Sequence, residues 1–346
     1  MYKELLSVNF NQDLSVVLSN VRKVLKSAEV NSSQLESSPI VLIGGGSGTP
    51  VVGRALLLNN MQKFSMVANV ADTLRDKNTL QLVGAGLLKH EFNVPDVVDI
   101  TKQLLHTGLP AEHGELYKLL DSKASEAMRV GYLVVAALYQ LLGNLQEAVT
   151  IVGEALGNHF QVLPVSGDVT EIYFRANGEW QNLYVFAQNE VGPPQELTLK
   201  PPANILPNTA RIITKAKYLI FGPGDVHFSV LPHFLVNGFK ESVAASSAKL
   251  LLVINLTARE LDIPGFTLSR LLDLYDRYLP AGRNCTAIVH KGEQMIEQIL
   301  LDDITGDDYG RFKLVRADIA STTQNKNNQY IHDAQKLGSV LINIIK

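Results

Sequence analysis

The sequence predicts an α/β fold built on a mainly parallel sheet that is covered on both faces. Two observations support this prediction. Short apolar runs of strand length alternate with helical patterns along the chain, and the run at residues 40–43 leads through a glycine-rich turn into a helix start. Such alternation is typical of parallel sheets whose crossover helices bury both faces. The chain has 346 residues, 46% of them hydrophobic, so it can bury a large core.

The predicted elements follow one another in a simple order. Residues 13–27 carry apolar side chains at helical spacing, and a polar stretch at 31–38 follows them. We therefore predict an N-terminal helical extension and linker over residues 1–38 and one body over 39–346. In the body, the predicted strands are residues 40–43, 64–70, 161–164, 170–175, 180–187, 218–221, 250–256 and 287–290. The predicted helices run from the glycine turn to residue 58, over 115–142, from a second glycine turn to about residue 246, and over 334–345.

The composition limits the class of protein. A net charge of −3 gives no basic footprint of the kind that nucleic-acid binders carry. The single cysteine, Cys285, excludes an internal disulfide framework and a cysteine-rich zinc site. The N-terminal segment has no long apolar core of a secretory signal, and we find no uninterrupted apolar run of about 18 residues, the length that a membrane span needs. We therefore expect a cytoplasmic protein with no nucleic-acid partner and no membrane span.

The glycine turn after the first strand is the most informative stretch of the chain. It reads GGGSGTP over residues 44–50. Glycine lets the backbone turn sharply and approach a ligand closely, and Pro50 suits the first turn of a helix. Free N–H groups and the helix dipole then point at one spot, which favours an anion such as a phosphate. We predict that Gly45, Gly46, Ser47, Gly48 and Thr49 bind that group.

Other interpretations of this turn fit less well. A P-loop needs Gly-Lys-Ser/Thr, but no lysine follows the turn before Lys63. In the dinucleotide pattern G-x-G-x-x-G, Thr49 stands where the third glycine belongs, and Val51 does so in the alternative register. The pattern G-x-S-x-G also ends in Thr49, which argues against a hydrolase elbow. A tight strand-to-helix turn without a ligand remains the plain structural alternative.

Further candidates follow other predicted strands. In open α/β sheets, ligands bind beyond the carboxyl ends of the strands. Asp72 follows the second strand and could hold a ribose hydroxyl or a magnesium ion, or simply be solvated. Gly222, Gly224 and Asp225 form a second strand–glycine–helix turn, in which Asp225 could instead be an N-cap. Asn255 follows the strand at 250–256. The spacing of His227 and His233 does not place them on one helical face, so we do not predict them as metal ligands.

The chain resembles the gluconeogenesis-factor and 2-phospho-L-lactate transferase family, also called the CofD-like or YvcK-like proteins. The resemblance covers about residues 39–346 in preserved order. Its segments are IGGGSGTPVVGRALL, VANVAD, GAGLLKHEFNVPDVVDI, EAMRVGYLVVAAL, VSGDVTEIYF, the long segment IFGPGDVHFSVLPHFLVNGFKESVAASSAKLLLVINLTARELDIPGFT, and IHDAQKLGSVLINII. The long segment is the most specific, and its Ser-Val-Leu-Pro and Pro-Gly-Phe-Thr pieces favour the gluconeogenesis-factor branch.

The resemblance implies a Rossmann-like, three-layer fold that binds a nucleotide or nucleotide-sugar. In the transferase branch it implies magnesium-assisted transfer of a phospholactyl group from a guanosine diphosphate donor to a deazaflavin, with Asp72 and Asp99 on the metal. In the other branch it implies a UDP-sugar-like ligand and a role in central carbon or cell-envelope metabolism. Family members often associate, so a homodimer is implied as well.

This chain departs from the family pattern at several positions. Thr73 replaces the second of two aspartates, which weakens a metal site after the second strand. Asp225 and His227 replace the usual Ser and Tyr, and Ala258 replaces the Gln of a Met-Thr-Gln motif. We therefore favour a nucleotide or nucleotide-sugar binding protein of the gluconeogenesis-factor type. The alternatives are a magnesium-dependent 2-phospho-L-lactate transferase-like enzyme and a degenerate member that acts as an interaction protein.

Overall fold

A computed structural model describes residues 38–71, 93–108, 114–124, 128–176, 178–182, 196–257, 267–291, 302–324 and 330–345. The predicted N-terminal helix at 13–27 and its linker lie outside the described residues, so the proposed division at residue 38 stays a prediction. Asp72 and Thr73 also lie outside them.

Within the described residues, eight strands form one sheet with the order β10-β11-β9-β8-β7-β1-β2-β3. All neighbouring pairs are parallel except β10 with β11. Every residue of β1 and of β2 is buried, so both faces of the sheet are covered, because alternate side chains point to opposite faces. The predicted α/β fold with a mainly parallel sheet is confirmed. The strands are β1 (Ile40–Gly44), β2 (Phe64–Ala68), β3 (Gln161–Pro164), β4 (Glu171–Ala176), β5 (Glu179–Asn182), β6 (Glu196–Lys200), β7 (Tyr218–Phe221), β8 (Lys249–Val253), β9 (Cys285–His290), β10 (Asp308–Tyr309), β11 (Phe312–Ala317), β12 (Ala320–Gln324) and β13 (Tyr330–His332).

The helices fill the connections between these strands. They are α1 (Gly48–Leu58), α2 (Val98–His106), α3 (Glu115–Asp121), α4 (Val130–Leu142), α5 (Leu145–Ala155), α6 (Pro207–Lys215), α7 (Pro232–Leu235), α8 (Phe239–Ala245), α9 (Leu268–Tyr278) and α10 (Ala334–Ile345). The closing helix α10 packs on α1. Gly338 permits this contact, because a Cβ there would come within 2.7 Å of the Ala55 carbonyl oxygen.

Two long predicted helices are wrong. The pattern at 115–142 is divided into α3 and α4, because Ser122 and Arg129 have extended backbone and the Arg129 guanidinium bonds to Asp121 at the end of α3. The helix expected after the second glycine turn is a π-helical turn (Val226–Val230) followed by α7 and α8. Pro232, which has no N–H, starts α7, and Gly238 adopts φ 87° before α8.

A small antiparallel sheet, β5-β4-β6, stands apart from the main sheet. Ala176 pairs with Glu179 across β4 and β5, and Gly178 adopts φ 84°, so a tight turn joins these two strands. The predicted strand at 180–187 is confirmed only to Asn182, where β5 ends, and residues 183–187 lie outside the described part of the chain.

Candidate functional site

The strand order places the two glycine turns side by side. From β1 the chain moves outward through β2 to β3, and it later returns to the other side of β1 as β7. The segments that follow β1 and β7 therefore leave the sheet in opposite directions from neighbouring strands. Such a switch in strand order opens a crevice at the carboxyl ends of the strands, where ligands of open α/β sheets bind. Both turns lie at this edge.

The first turn presents the start of α1 to solvent. Gly46 has φ 63°, a left-handed conformation that favours glycine. Ser47 occupies the N-cap position, but its side chain makes no capping hydrogen bond and is exposed. The hydroxyl of Thr49 turns inward and donates to the Gly45 carbonyl oxygen at 3.1 Å. The N–H groups of the first helical turn are therefore not capped by Ser47, and an anion can approach them.

Several of the glycines allow the two turns to touch each other. A Cβ on Gly48 would overlap the Pro223 carbonyl, and one on Gly222 would lie 2.8 Å from the Thr49 hydroxyl oxygen. A Cβ on Gly46, by contrast, would meet only the Ser229 hydroxyl oxygen among the described residues, at 3.4 Å. Gly48 and Gly222 are thus required by packing, whereas the backbone around Gly46 is open enough for a ligand.

Asp225 forms a cap at the start of the second turn's helical segment. Its Oδ1 accepts from the backbone N–H groups of His227 and Phe228, at 3.0 and 3.1 Å. Burial raises the pKa of Asp225 to about 7, against the lowering effect of these two donors, and the charge of Asp99 adds to the rise. The N-cap interpretation is therefore correct in its geometry.

That second acid, Asp99, is fully buried in the first turn of α2. Its Oδ1 forms an ion pair with the Lys102 ammonium group at 3.4 Å, and its Oδ2 is buried with no hydrogen-bond partner among the described residues. The carboxylate packs against Gly45, where any Cβ would overlap it. An unpartnered carboxylate oxygen is costly to bury, which makes Asp99 a notable residue behind the predicted phosphate turn.

Asn255, just beyond β8, holds the second turn through two side-chain hydrogen bonds. Its Oδ1 accepts from the Gly224 N–H at 3.0 Å, and its Nδ2 donates to the Gly224 carbonyl at 2.8 Å. The structure thus brings Gly45, Gly46, Gly48, Thr49, Asp99, Gly222, Gly224, Asp225 and Asn255 together, with Ser47 at the exposed rim. Their roles in ligand binding stay predictions, as does that of Asp72.

Sequence reasoning missed three buried polar residues beside the turns. Asn69 donates to the Phe228 carbonyl at 2.8 Å, and Gln103 donates to the Gly44 carbonyl at 2.7 Å. Ser229 is buried next to both turns. A polar residue within an apolar run, such as Asn69 in MVANVA, was the available signal.

Of the two buried histidines near the crevice, His233 is held by backbone carbonyls, whereas His227 Nδ1 has no hydrogen-bond partner among the described residues. The ring nitrogens of His233 lie 3.1 and 3.2 Å from the carbonyl oxygens of Val230 and Val67. Burial lowers the pKa values of His227 and His233 to about 4. Among the described residues, no three His, Cys, Asp or Glu side chains are grouped so that they could hold a metal ion. The oxygens of Asp99 and Asp225 nevertheless fit Mg²⁺, which is often bound by one or two carboxylates together with phosphate and water.

A separate cavity of about 340 Å³ lies away from the glycine turns, between the ends of α1, α2 and α5. Its lining includes Gly108 and Gly114, which flank residues 109–113 outside the described part of the chain. The crevice at the two turns remains the candidate site.

Comparison with known proteins identifies the family. The family model described as 2-phospho-L-lactate transferase CofD matches residues 40–345, nearly the whole chain. The chain belongs to the CofD family. This CofD-family chain is 30% identical over 245 residues to a provisionally named gluconeogenesis factor of Thermotoga maritima, a match that covers 69% of this chain and 75% of the relative. It is 24% identical over 335 residues to the gluconeogenesis factor of Bacillus subtilis, covering 89% and 98% of the two chains.

Solved structures support the same fold. The crystal structure of a UPF0052 family member from Bacillus halodurans superposes on this CofD-family chain with a TM-score of 0.74 at 18% identity, covering 89% of this chain and 99% of the other. The expected family resemblance is therefore confirmed. None of the helices in the described ranges has the length and apolar character that a membrane crossing requires.

Proposed function

We propose that this protein binds the phosphate of a nucleotide or a UDP-sugar-like nucleotide-sugar at the first glycine turn. The observation that supports this most directly is the exposed, side-chain-uncapped start of α1, preceded by Gly46 in a left-handed conformation, at the switch point of the sheet. A helix N-terminus of this kind supplies several N–H donors and a favourable dipole to a phosphate.

The relatives suggest where such binding would act. Proteins similar to this chain are named gluconeogenesis factors. We therefore propose a regulatory role in central carbon or cell-envelope metabolism, in the cytoplasm, and a homodimer as the form that acts. Ligand binding without chemistry is sufficient for such a role.

A second function is favoured by the acids of the crevice. The family model carries the name of a transferase, and Asp99 lies against Gly45 of the first turn while Asp225 belongs to the second turn. Magnesium would neutralise charge on a diphosphate during transfer of a phospholactyl group. In that case the turn would orient the donor's phosphates, and the buried acids would hold the metal.

Thermal unfolding with UDP, UDP-sugars and GDP, each with and without Mg²⁺, tests the primary proposal. Stabilisation without Mg²⁺ supports the binding protein. Stabilisation only with Mg²⁺, together with phospholactyl transfer to a deazaflavin, supports the enzyme. No stabilisation by any nucleotide would contradict both and favour an interaction protein.

Gly46→Val should abolish the nucleotide-induced rise in melting temperature, because its side chain would enter the open space of the turn and its left-handed φ is unfavourable for valine. Gly143→Val is a matched control. Gly143 has a similar φ of 67° and no atom within 4 Å of its Cβ position, at the end of α4. The control should lose stability to a similar degree yet keep the nucleotide response. An unchanged response in Gly46→Val would rule out this placement of the phosphate.

A further inference from the structure

Ser229 is a buried serine that lies between the two glycine turns. It belongs to the π-helical turn (Val226–Val230) that follows the second glycine turn, and only 2% of its surface is exposed. Its Cβ lies 3.2 Å from the position that a Cβ on Gly45 would take, and 3.3 Å from the corresponding position on Gly224. The side chain therefore stands against the backbone of both turns at once.

The hydroxyl of Ser229 differs from other hydroxyls in the helices of this chain. A serine or threonine within a helix often bonds to the carbonyl four residues earlier, as the hydroxyls of Thr101 and Ser242 do at 2.8 and 2.6 Å. In Ser229 the backbone N–H donates to the Asp225 carbonyl at 2.7 Å, whereas the Oγ has no hydrogen-bond partner among the described residues. Most buried polar groups of native proteins have a partner, so this hydroxyl is one that a ligand could satisfy.

The hydroxyl is directed at the first glycine turn. Its oxygen lies 3.4 Å from the position that a Cβ on Gly46 would take, and Gly46 directly precedes Ser47, the N-cap of α1 that makes no capping hydrogen bond. The hydroxyl of Thr49 cannot serve in the same way, because it donates inward to the Gly45 carbonyl. A phosphate at the start of α1 would therefore meet N–H donors from the first turn and the Ser229 hydroxyl from the second.

The backbone around Ser229 is held in place by hydrogen bonds. Asn69 donates to the Phe228 carbonyl at 2.8 Å, and the Leu231 N–H donates to the Val226 carbonyl at 2.8 Å, which closes the π-helical turn. Such turns are frequent at functional sites. A donor that is already fixed loses little conformational freedom when a ligand binds, which favours affinity.

We propose that the Ser229 hydroxyl donates a hydrogen bond to a phosphate oxygen of the ligand, so that the phosphate is held between this side chain and the N–H groups at the start of α1. The inference rests on the proposed function and adds to it a binding residue from the second turn. The ligand supplies the partner that the buried hydroxyl lacks, and a hydrogen bond to a charged acceptor is stronger than one between neutral groups.

Isothermal titration calorimetry of the full chain with UDP and, separately, with inorganic phosphate tests this contact. Ser229→Ala should weaken the binding of each by roughly tenfold or more, because a hydrogen bond to a charged group is lost. The melting temperature without ligand should stay at the wild-type value, since no described residue bonds to the removed hydroxyl.

Ser246→Ala is the matched control. Ser246 is similarly buried, at 4% exposure, but its Oγ accepts from the Ala248 N–H at 3.2 Å. It precedes β8 and so lies toward the amino ends of the strands, away from the crevice. Its replacement should lower the melting temperature and leave both affinities unchanged.

The outcomes separate this contact from the proposed function. If wild type and Ser229→Ala bind UDP equally tightly, the proposed function stands and the Ser229 contact is wrong. If inorganic phosphate binding depends on Ser229 but UDP never binds, the contact stands and the nucleotide proposal is wrong. If wild type binds neither probe, both are wrong. A loss of ligand-free stability in Ser229→Ala as large as that in Ser246→Ala would show a structural role for the hydroxyl and contradict the contact.

Discussion

The two glycine turns of the crevice follow the same sequence pattern but begin their helices differently. After β1, the N-cap Ser47 is exposed and makes no capping hydrogen bond. After β7, Asp225 caps its own helical segment with two hydrogen bonds. The first turn therefore leaves N–H groups for an anion, whereas the second satisfies its own and contributes negative charge. Similar local sequence can thus begin one helix without a side-chain cap and the other with a buried acidic cap.

The largest effect is expected where the two turns touch. Gly48→Ala would place a methyl group against the Pro223 carbonyl, so the turns must separate. We expect a loss of about 1–3 kcal/mol in the free energy of unfolding in urea, as for overpacked sites. Gly114→Ala, at a position with no atom within 4 Å of the Cβ, should cost less than about 1 kcal/mol. Equal losses in the two variants would show that the turns are not in close contact.

A pH-dependent effect is expected from the second turn. The pKa of Asp225 is raised from 3.8 to about 7 in the folded chain, so the folded state binds the extra proton between these values. Its contribution to stability is complete below pH 4 and is lost as the pH rises through about 7. Three buried histidines act in the opposite sense, because burial lowers their pKa values to about 4: His227, His233 and His332. The stability that they contribute is lost as the pH falls below about 6.5 toward 4.

The difference in free energy of unfolding between wild type and Asp225→Asn isolates the contribution of Asp225, because both proteins contain the same three histidines. Without metal, the variant should gain stability relative to wild type as the pH rises from 4 to 8, measured by urea unfolding. A stability difference that does not change with pH would show that Asp225 titrates normally.

The smallest effect is expected from making the first turn resemble the second. Ser47→Asp would place a carboxylate beside the N-terminus of α1 and should stabilise the protein by roughly 0.3–1 kcal/mol through the helix dipole. The same charge would occupy the predicted phosphate position, so nucleotide affinity should fall. Ser47→Asn, which can cap without a charge, is the control. Unchanged nucleotide affinity in Ser47→Asp would place the ligand elsewhere.

Local patterns predicted much of the fold. The strand Tyr218–Phe221 and the helix Ala334–Ile345 have the predicted bounds, because a short apolar run identifies the strand and a clear helical period identifies the helix. The breaks in the two long helices were missed. Apolar periodicity continues through both, whereas the breaks arise from the Arg129–Asp121 contacts and from Pro232 and Gly238.

The site was predictable in part for the same reason. The first glycine turn and Asp225 adjoin strands whose ends meet once the sheet is parallel. Asp99 came from family resemblance alone, because its burial against Gly45 depends on where α2 returns beside β1. The inward hydrogen bonds of Asn69 and Gln103 likewise depend on tertiary packing that no local pattern contains.

The contact at Gly338 lets α10, the last helix of the chain, support α1, the helix that begins at the first glycine turn. Because α10 lies on α1 through a position that admits no side chain, the direction of α1 is fixed from behind, far along the sequence from the turn that α1 presents. The orientation of α1, and with it the direction of the N–H groups at its start, therefore depends on the C-terminal helix as well. We expect an affinity tag or a truncation at that end to change ligand binding without altering any residue of the crevice.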